Sequence, residues 1–294
     1  MSDFAGYVPQ PRRPEPQRIC GVNAVRALFL RRPEAVQRLH YLAERRHVAG
    51  PLCRYLARHQ KAYREVLSDE LARIAGTEHH GGIVAIADPR RAEAIGNPPQ
   101  PILFAGSVLP VLDGIGNPHN LGAIARGAAF FGAKAMLISG DARQADLSDA
   151  AFRTSEGALE HLAVFRADNL AQNLRRLSGQ LLVVGAAATG GVPPEALPRN
   201  KPIALVLGHE ETGLSPEVLA ALRGAGDAAG FRPRGEPQRR GRGGGAAAFA
   251  DDAAAPLRRD GGWRKGRRRR EAYRRGAGLR PATPSRFRVS HFIP

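Results

Sequence analysis

Apolar and polar positions change register several times along this chain, and each change predicts an element. From Gly21 to Phe29 the apolar residues Val22, Val25, Leu28 and Phe29 recur at helical spacing. Val36 to Leu42 is strand-like, Pro51 to His59 reads as a second helix, and Ser68 is placed to cap a short helix through Ile74. Gly81 and Gly82 then form a turn into the apolar run Ile83 to Ala87, which predicts a buried strand. Together these make a small α/β unit. Arg90 to Pro101, with Pro98, Pro99 and Pro101, reads as a linker.

Beyond the linker, strands and helices alternate. Ser107 to Leu112, Ala135 to Ile138, Ala163 to Phe165, Leu181 to Gly185 and Ile203 to Leu207 predict strands. Helices are expected over Leu121 to Phe131, after an Asp168 cap with Leu170, Leu174 and Leu177 on one face, and after Ser215-Pro216. Such alternation predicts a parallel sheet covered on both faces, with ligands at the carboxyl ends of its strands. The expected fold class is α/β, and the domain boundaries are a disordered segment 1–17, a first domain 18–92 with its own core, a linker 93–100, a sheet domain 101–225 and a tail 226–294.

Charge changes the picture of the tail. Of 44 Lys+Arg and 27 Asp+Glu in 294 residues, residues 226–294 hold 18 and 6, a net +12, which leaves 26 and 21, a net +5, for residues 1–225. The tail carries Gly243 to Gly245, Ala246 to Ala248 and Arg267 to Arg270 without sustained periodicity, so disorder is expected there. No apolar run approaches the roughly 20 residues of a membrane helix, and Met1 to Arg18 has no signal-peptide core, which predicts a cytoplasmic protein with no membrane partner. Cys20 and Cys53 lack metal-ligand spacing and read as buried thiols. No metal is expected.

Two segments following strands carry candidate chemistry. In Asp113-Gly114-Ile115-Gly116-Asn117-Pro118-His119-Asn120, glycines and a proline hold a loop open, Asn120 is placed to cap the next helix, and Arg126 lies six residues on. In Gly208-His209-Glu210-Glu211-Thr212-Gly213, a strand runs into a loop whose glycines let backbone approach a ligand, with Glu210 at the strand exit. A dinucleotide fingerprint fails at His119, and no Gly-Lys-Ser/Thr phosphate loop is present. His79 and His80 read as turn residues. Arg12, Arg13, Arg143, Arg153, Arg166, Arg175 and Arg176 are candidates for a basic surface.

The two segments together resemble motifs 1 and 2 of the SpoU-type, TrmH-like RNA 2'-O-ribose methyltransferases of the SPOUT superfamily. Asn120, Gly122 and Arg126 match Asn-x-Gly-x-x-x-Arg, and Gly208, Glu210 and Gly213 match Gly-Asn-Glu-x-x-Gly with His209 in place of Asn. Ser155-Glu156-Gly157-Ala158-Leu159 is similar to the family's intervening stretch, and Gly21 to Val25 with His79 to Ala85 resembles its substrate-binding domain. The resemblance covers roughly residues 18–225. It implies a trefoil knot, a homodimer, an rRNA or tRNA substrate, and S-adenosylmethionine held near Ala187, Ala188, Thr189, Leu207, Gly208 and Gly213. It also implies catalytic roles for Asn120, Arg126 and Glu210.

The family's third motif, which closes the knot, has no counterpart after Gly226-Asp227. Codons permitted for Glu236 onward, read one nucleotide later, include a choice that can spell Ser-Arg-Asn-Val-Ala followed by alanines and leucines, similar to that motif. With 40 Arg against 4 Lys the gene reads as GC-rich, and a shifted frame near residue 227 is the expectation, with a basic RNA-binding tail as its rival. A non-catalytic RNA-binding relic and a Rossmann-type methyltransferase are the alternative functions.

Overall fold

A computed structural model describes residues 14–186, 196–198 and 200–224. The expected tail 226–294, Arg12 and Arg13 lie outside the described residues. The first sheet contains β1 (Gln17–Cys20), β2 (Val36–Tyr41), β3 (Ala62–Glu65) and β4 (Ile83–Ala87) in the order β1-β4-β2-β3. β4 runs antiparallel to β1 and β2, whereas β3 joins β2 in parallel. Alternation sorts the faces: Ile19, Leu39, Ile83 and Ala85 pack with helices α1 (Val22–Arg31) and α2 (Arg46–Arg58), while Cys20 and Val84 pack against α3 (Ser68–Ala75).

The boundaries differ from expectation in ways that local chemistry explains. α2 starts at Arg46 and carries Pro51 inside it. Being near the helix start, that proline orphans only the carbonyl of His47. Ser68 is the first residue of α3, with Leu67 in the cap position and no side-chain cap bond. Gln17, assigned to the disordered segment, is buried. Its Nε2 donates to the Leu147 carbonyl at 2.5 Å, and its Oε1 accepts from the Arg90 amide at 2.9 Å.

The second sheet is parallel throughout: β5 (Glu93–Ala94), β6 (Val108–Asp113), β7 (Ala135–Ser139), β8 (Ala163–Ala167), β9 (Leu182–Gly185) and β10 (Ile203–Gly208), ordered β5-β8-β7-β6-β10-β9. The segment read as a linker thus contributes the edge strand β5. Helices α4 (Pro118–Phe130), α5 (Asp149–Ser155), α6 (Ala158–His161), α7 (Leu170–Leu177) and α8 (Pro216–Gly224) connect or flank the strands. α7 is capped by Asn169, whose side chain accepts from the Gln172 amide at 2.9 Å; Asp168 lies one residue too early. Every residue of β7 and β9 is buried, the burial that a doubly covered parallel strand requires.

Separate cores were expected, but one apolar cluster runs through both sheets' domains, from Ile19, Val25 and Leu28 to Leu121, Phe152 and Leu159. At its edge Gly157 lies so close to α1 that a Cβ there would sit 2.8 Å from the Ala27 Cβ and 2.9 Å from the Asn23 carbonyl. A buried ion group completes the seam. The Glu160 carboxylate receives Arg32 through Nε at 2.8 Å and Nη2 at 2.7 Å, with Arg90 Nη1 at 3.8 Å. Burial pushes the Arg90 guanidinium below its ordinary value, an effect that Glu160 opposes.

Candidate functional site

Chain order reverses between β6 and β10. β6 leads outward through β7 and β8, whereas the chain returns to β9 and β10 on the other side of β6. Such a reversal opens a crevice at the carboxyl ends of the two strands. Gly208 pairs in register with Asp113 here, which brings the two motif loops together although 90 residues separate Asn120 from Glu210.

Each loop is held by its own polar contacts. The buried Asp113 accepts the Ser215 amide at 2.7 Å and the Ser215 hydroxyl at 3.2 Å, which fixes the entrance to α8. Gln144 Oε1 accepts the amides of Gly114 and Ile115, each at 3.1 Å, while its Nε2 donates to the Ile115 carbonyl at 3.1 Å. The second loop closes as a tight hairpin in which His209 and Gly213 exchange two backbone bonds of 2.9 Å. Gly208 allows this closure, since a Cβ there would fall 2.3 Å from the Gly213 carbonyl carbon.

Asn117, rather than Asn120, caps α4; its side chain accepts the His119 amide at 2.9 Å, and Pro118 occupies the first helical position. Capping by the earlier asparagine releases Asn120, which lies within the first turn and donates through Nδ2 to Glu210 Oε1. Glu210 Oε2 lies 3.9 Å from His209 Nε2. His209 Nδ1 accepts the Glu211 amide at 3.1 Å, so in the neutral ring Nε2 carries the proton and is a donor. At the neighbouring exit of β7, hydrogen bonds from the Arg143 side chain and backbone hold the Asp141 carboxyl down to about 2.

Gly122 has a packing reason that the motif alone does not reveal. A Cβ on it would meet the Ala151 carbonyl oxygen at 2.6 Å and the Thr154 Cβ at 2.8 Å, so the glycine lets α4 lie directly on α5. Arg126 points elsewhere than the Asn120–Glu210 pair. Its Nη1 meets Glu156 Oε1 at 2.9 Å, and its side chain is 58% exposed. Glu210 therefore anchors Asn120 and not the arginine. Among the proposed basic residues, Arg143 pairs with Asp141, Arg166 with Asp146 at 3.1 Å, and Arg176 donates to the Gly96 carbonyl at 2.7 Å. His80 accepts the Gly82 amide through Nδ1 at 3.1 Å, a turn role as expected.

Of the residues assigned to the cofactor, Leu207, Gly208 and Gly213 lie at the crevice, half-buried or exposed, while Ala187, Ala188 and Thr189 lie outside the described residues. Leu207 and Leu214 are both half-buried and pack against different apolar clusters, and the loop between them carries glycine at both ends, Gly208 and Gly213, where backbone can approach a nucleoside. Sequence reasoning missed Asp113, Gln144 and Glu156 as organisers of the loops and of Arg126. Asp113, polar at the end of an apolar strand, was the one signal available. Among the described residues no group of three His, Cys, Asp or Glu side chains is placed to hold a metal, and no helix is long and apolar enough to cross a membrane.

Comparison with known proteins matches residues 107–225 to the SpoU rRNA methylase family and residues 18–92 to the RNA 2'-O ribose methyltransferase substrate-binding domain. An uncharacterized tRNA/rRNA methyltransferase of Haemophilus influenzae is 34% identical over 202 residues, covering 68% of this chain and 57% of its own length. The chain thus spans less than two thirds of that relative. The 23S rRNA (guanosine-2'-O-)-methyltransferase RlmB of Nitrosomonas europaea is 31% identical over 67% of this chain and 76% of its own. The AdoMet-bound rRNA methyltransferase of Sinorhizobium meliloti has the same fold, with a TM-score of 0.60 at 20% identity over 81% of this chain and 85% of its own.

Proposed function

Since this chain belongs to the SpoU rRNA methylase family, we propose that it transfers a methyl group from S-adenosylmethionine to a ribose 2'-hydroxyl of rRNA or tRNA. The observation that carries this reading is the hydrogen bond between Asn120 and Glu210 across the β6/β10 crevice, which joins the two motif loops at the place where a parallel sheet binds ligands. S-adenosylmethionine, when bound, supplies an electrophilic methyl group. Leu207, Gly208 and Gly213 would hold it, together with Ala187, Ala188 and Thr189.

The remaining chemistry belongs to side chains. Glu210 fixes the Asn120 amide in one orientation, and the amide oxygen, which takes no hydrogen bond among the described residues, is the acceptor offered to the substrate hydroxyl. Arg126, which is paired with Glu156 here, would stabilise negative charge developing on the 2'-oxygen after leaving that carboxylate. A guanidinium with a pKa above about 12 is a poor base, so its role is electrostatic and orienting. In this reading the knot lies in the segment after residue 225, the exposed Phe131 and Leu219 are covered in a homodimer, and the enzyme works in the cytoplasm with its RNA.

The absent third motif favours one second reading, an RNA-binding relic without turnover. Incubating rRNA and tRNA with labelled S-adenosylmethionine and digesting to nucleosides tests both, using the 294-residue chain beside a version with the frame restored at residue 227. Label in a 2'-O-methyl nucleoside supports the enzyme. Label in neither form, with RNA still bound, leaves the relic.

A further inference from the structure

Between α1, α4 and α6 lies an open cavity of about 420 Å³, large enough for one nucleotide. Its wall comes from both domains. Arg26 and Asn23 contribute from α1, Arg126 and Phe130 from α4, and Glu156 from the turn before α6. Phe130 is 80% exposed and Leu30 beside it 64%, an unusual outlay of large apolar surface next to two guanidinium groups. An aromatic face beside cations is the combination that holds an unpaired base and its phosphate.

Glu156 is the unexpected member. It adopts φ +48°, a left-handed conformation uncommon for a residue other than glycine, at the end of α5. From there it bridges the domains, since Oε1 meets Arg126 Nη1 at 2.9 Å while Oε2 accepts Asn23 Nδ2 at 3.4 Å. The carboxylate thus occupies, between a guanidinium and an amide, the position an RNA phosphate oxygen would take.

We propose that this cavity receives one nucleotide of single-stranded RNA, and that Glu156 is a built-in competitor which holds Arg126 and Asn23 until a phosphate displaces it. The inference rests on RNA being the substrate, but it does not depend on turnover. Displacement then couples docking on the first domain to breaking of the Arg126–Glu156 pair. An exposed ion pair is weak enough to be exchanged in this way.

The test uses the full chain and a single-stranded RNA oligonucleotide carrying 4-thiouridine, irradiated and mapped by peptide mass. The basic tail is common to all variants, so differences between them isolate the cavity. Crosslinks should appear within residues 23–30 and 126–130. Glu156→Gln should raise their yield about two- to five-fold, because the competing carboxylate is gone while the phosphate contact is the same. Arg126→Ala, alone or with Glu156→Gln, should remove the gain. Glu156→Asn, which suits positive φ, must behave as Glu156→Gln does, with thermal melting confirming the fold of each.

Crosslinks confined to other segments would overturn the proposal, as would an unchanged yield in both Glu156 variants. Loss of the crosslinks on raising protein concentration would equally overturn it, by showing a second copy on Phe130. Failure of methyl transfer with these crosslinks intact would count against the enzymatic reading and leave the cavity assignment standing.

Discussion

Substituting Glu160 by glutamine tests whether the seam between the domains is electrostatically organised. The side chain is fully buried, and its carboxylate receives two hydrogen bonds from Arg32 while also lying near Arg90. Glutamine keeps the shape and one acceptor but leaves two guanidinium groups facing each other without a counter-charge. Removing one partner of a buried pair costs about 3 to 5 kcal/mol. The lower end applies, because the Arg32 and Arg90 side chains keep 20% and 18% of their surface in water, and Arg90 also donates to the Leu159 and Leu162 carbonyls. A loss of about 3 kcal/mol corresponds to a fall in Tm of about 6 to 12 °C for a folded region of this size.

Urea unfolding of the full chain, followed by far-UV circular dichroism, measures this directly. Arg32→Met in the Glu160→Gln background should cost less than the sum of the single changes, with a coupling above about 1 kcal/mol. A single-mutant loss below about 1 kcal/mol would refute the reasoning, because it would mean that water already solvates the carboxylate.

Three further outcomes are expected. Gly122→Ala should destabilise by about 1 to 3 kcal/mol in the same urea assay, since its Cβ must push the Ala151 carbonyl away from 2.6 Å; a neutral effect would show that α4 and α5 separate freely. In whichever form of the chain transfers methyl groups, Asn120→Ala should lower the single-turnover rate about 10²-fold, as loss of one positioned donor or acceptor does, and an unchanged rate would remove Asn120 from the site. Burial pushes the Cys20 thiol up to about 11 from 9.0, so native protein should resist iodoacetamide at pH 8.5 while urea-unfolded protein reacts. Because this folded value is raised, the associated stability is complete below about pH 9 and declines as pH rises toward about 11, which unfolding midpoints across that range will show.

The strands and helices legible in the sequence were those whose partners are decided locally. Apolar runs such as Ile83 to Ala87 and Ile203 to Leu207 must be buried wherever they go, and they became β4 and β10. β3 escaped notice because all four of its residues are exposed, and it exists through main-chain pairing with β2, which leaves no apolar signature. The cap of α4 was misplaced for a different reason. Asn117-Pro118 and Asn120 offer two asparagines within one turn, and the proline at the first helical position decides between them. That local choice has a distant consequence: with Asn117 capping, Asn120 is free to bind Glu210.

The site therefore shows two grades of legibility with one physical origin. Asn120 and Glu210 could be named because their loops each follow a predicted strand, and strand order alone brings those loops together. Glu156 could not be named for Arg126, because nothing near either residue predicts that α5 ends in a left-handed turn. That turn depends on Gly157 fitting against α1, a contact between segments more than 120 residues apart in sequence. The same contact puts Asn23 of the first domain within reach of Glu156. Arg126 is thus tied to the first domain through Glu156 and Gly157, whose stretch was recognisable in the sequence while its contact with α1 was not, and the domain boundary drawn from composition passes through the middle of this environment.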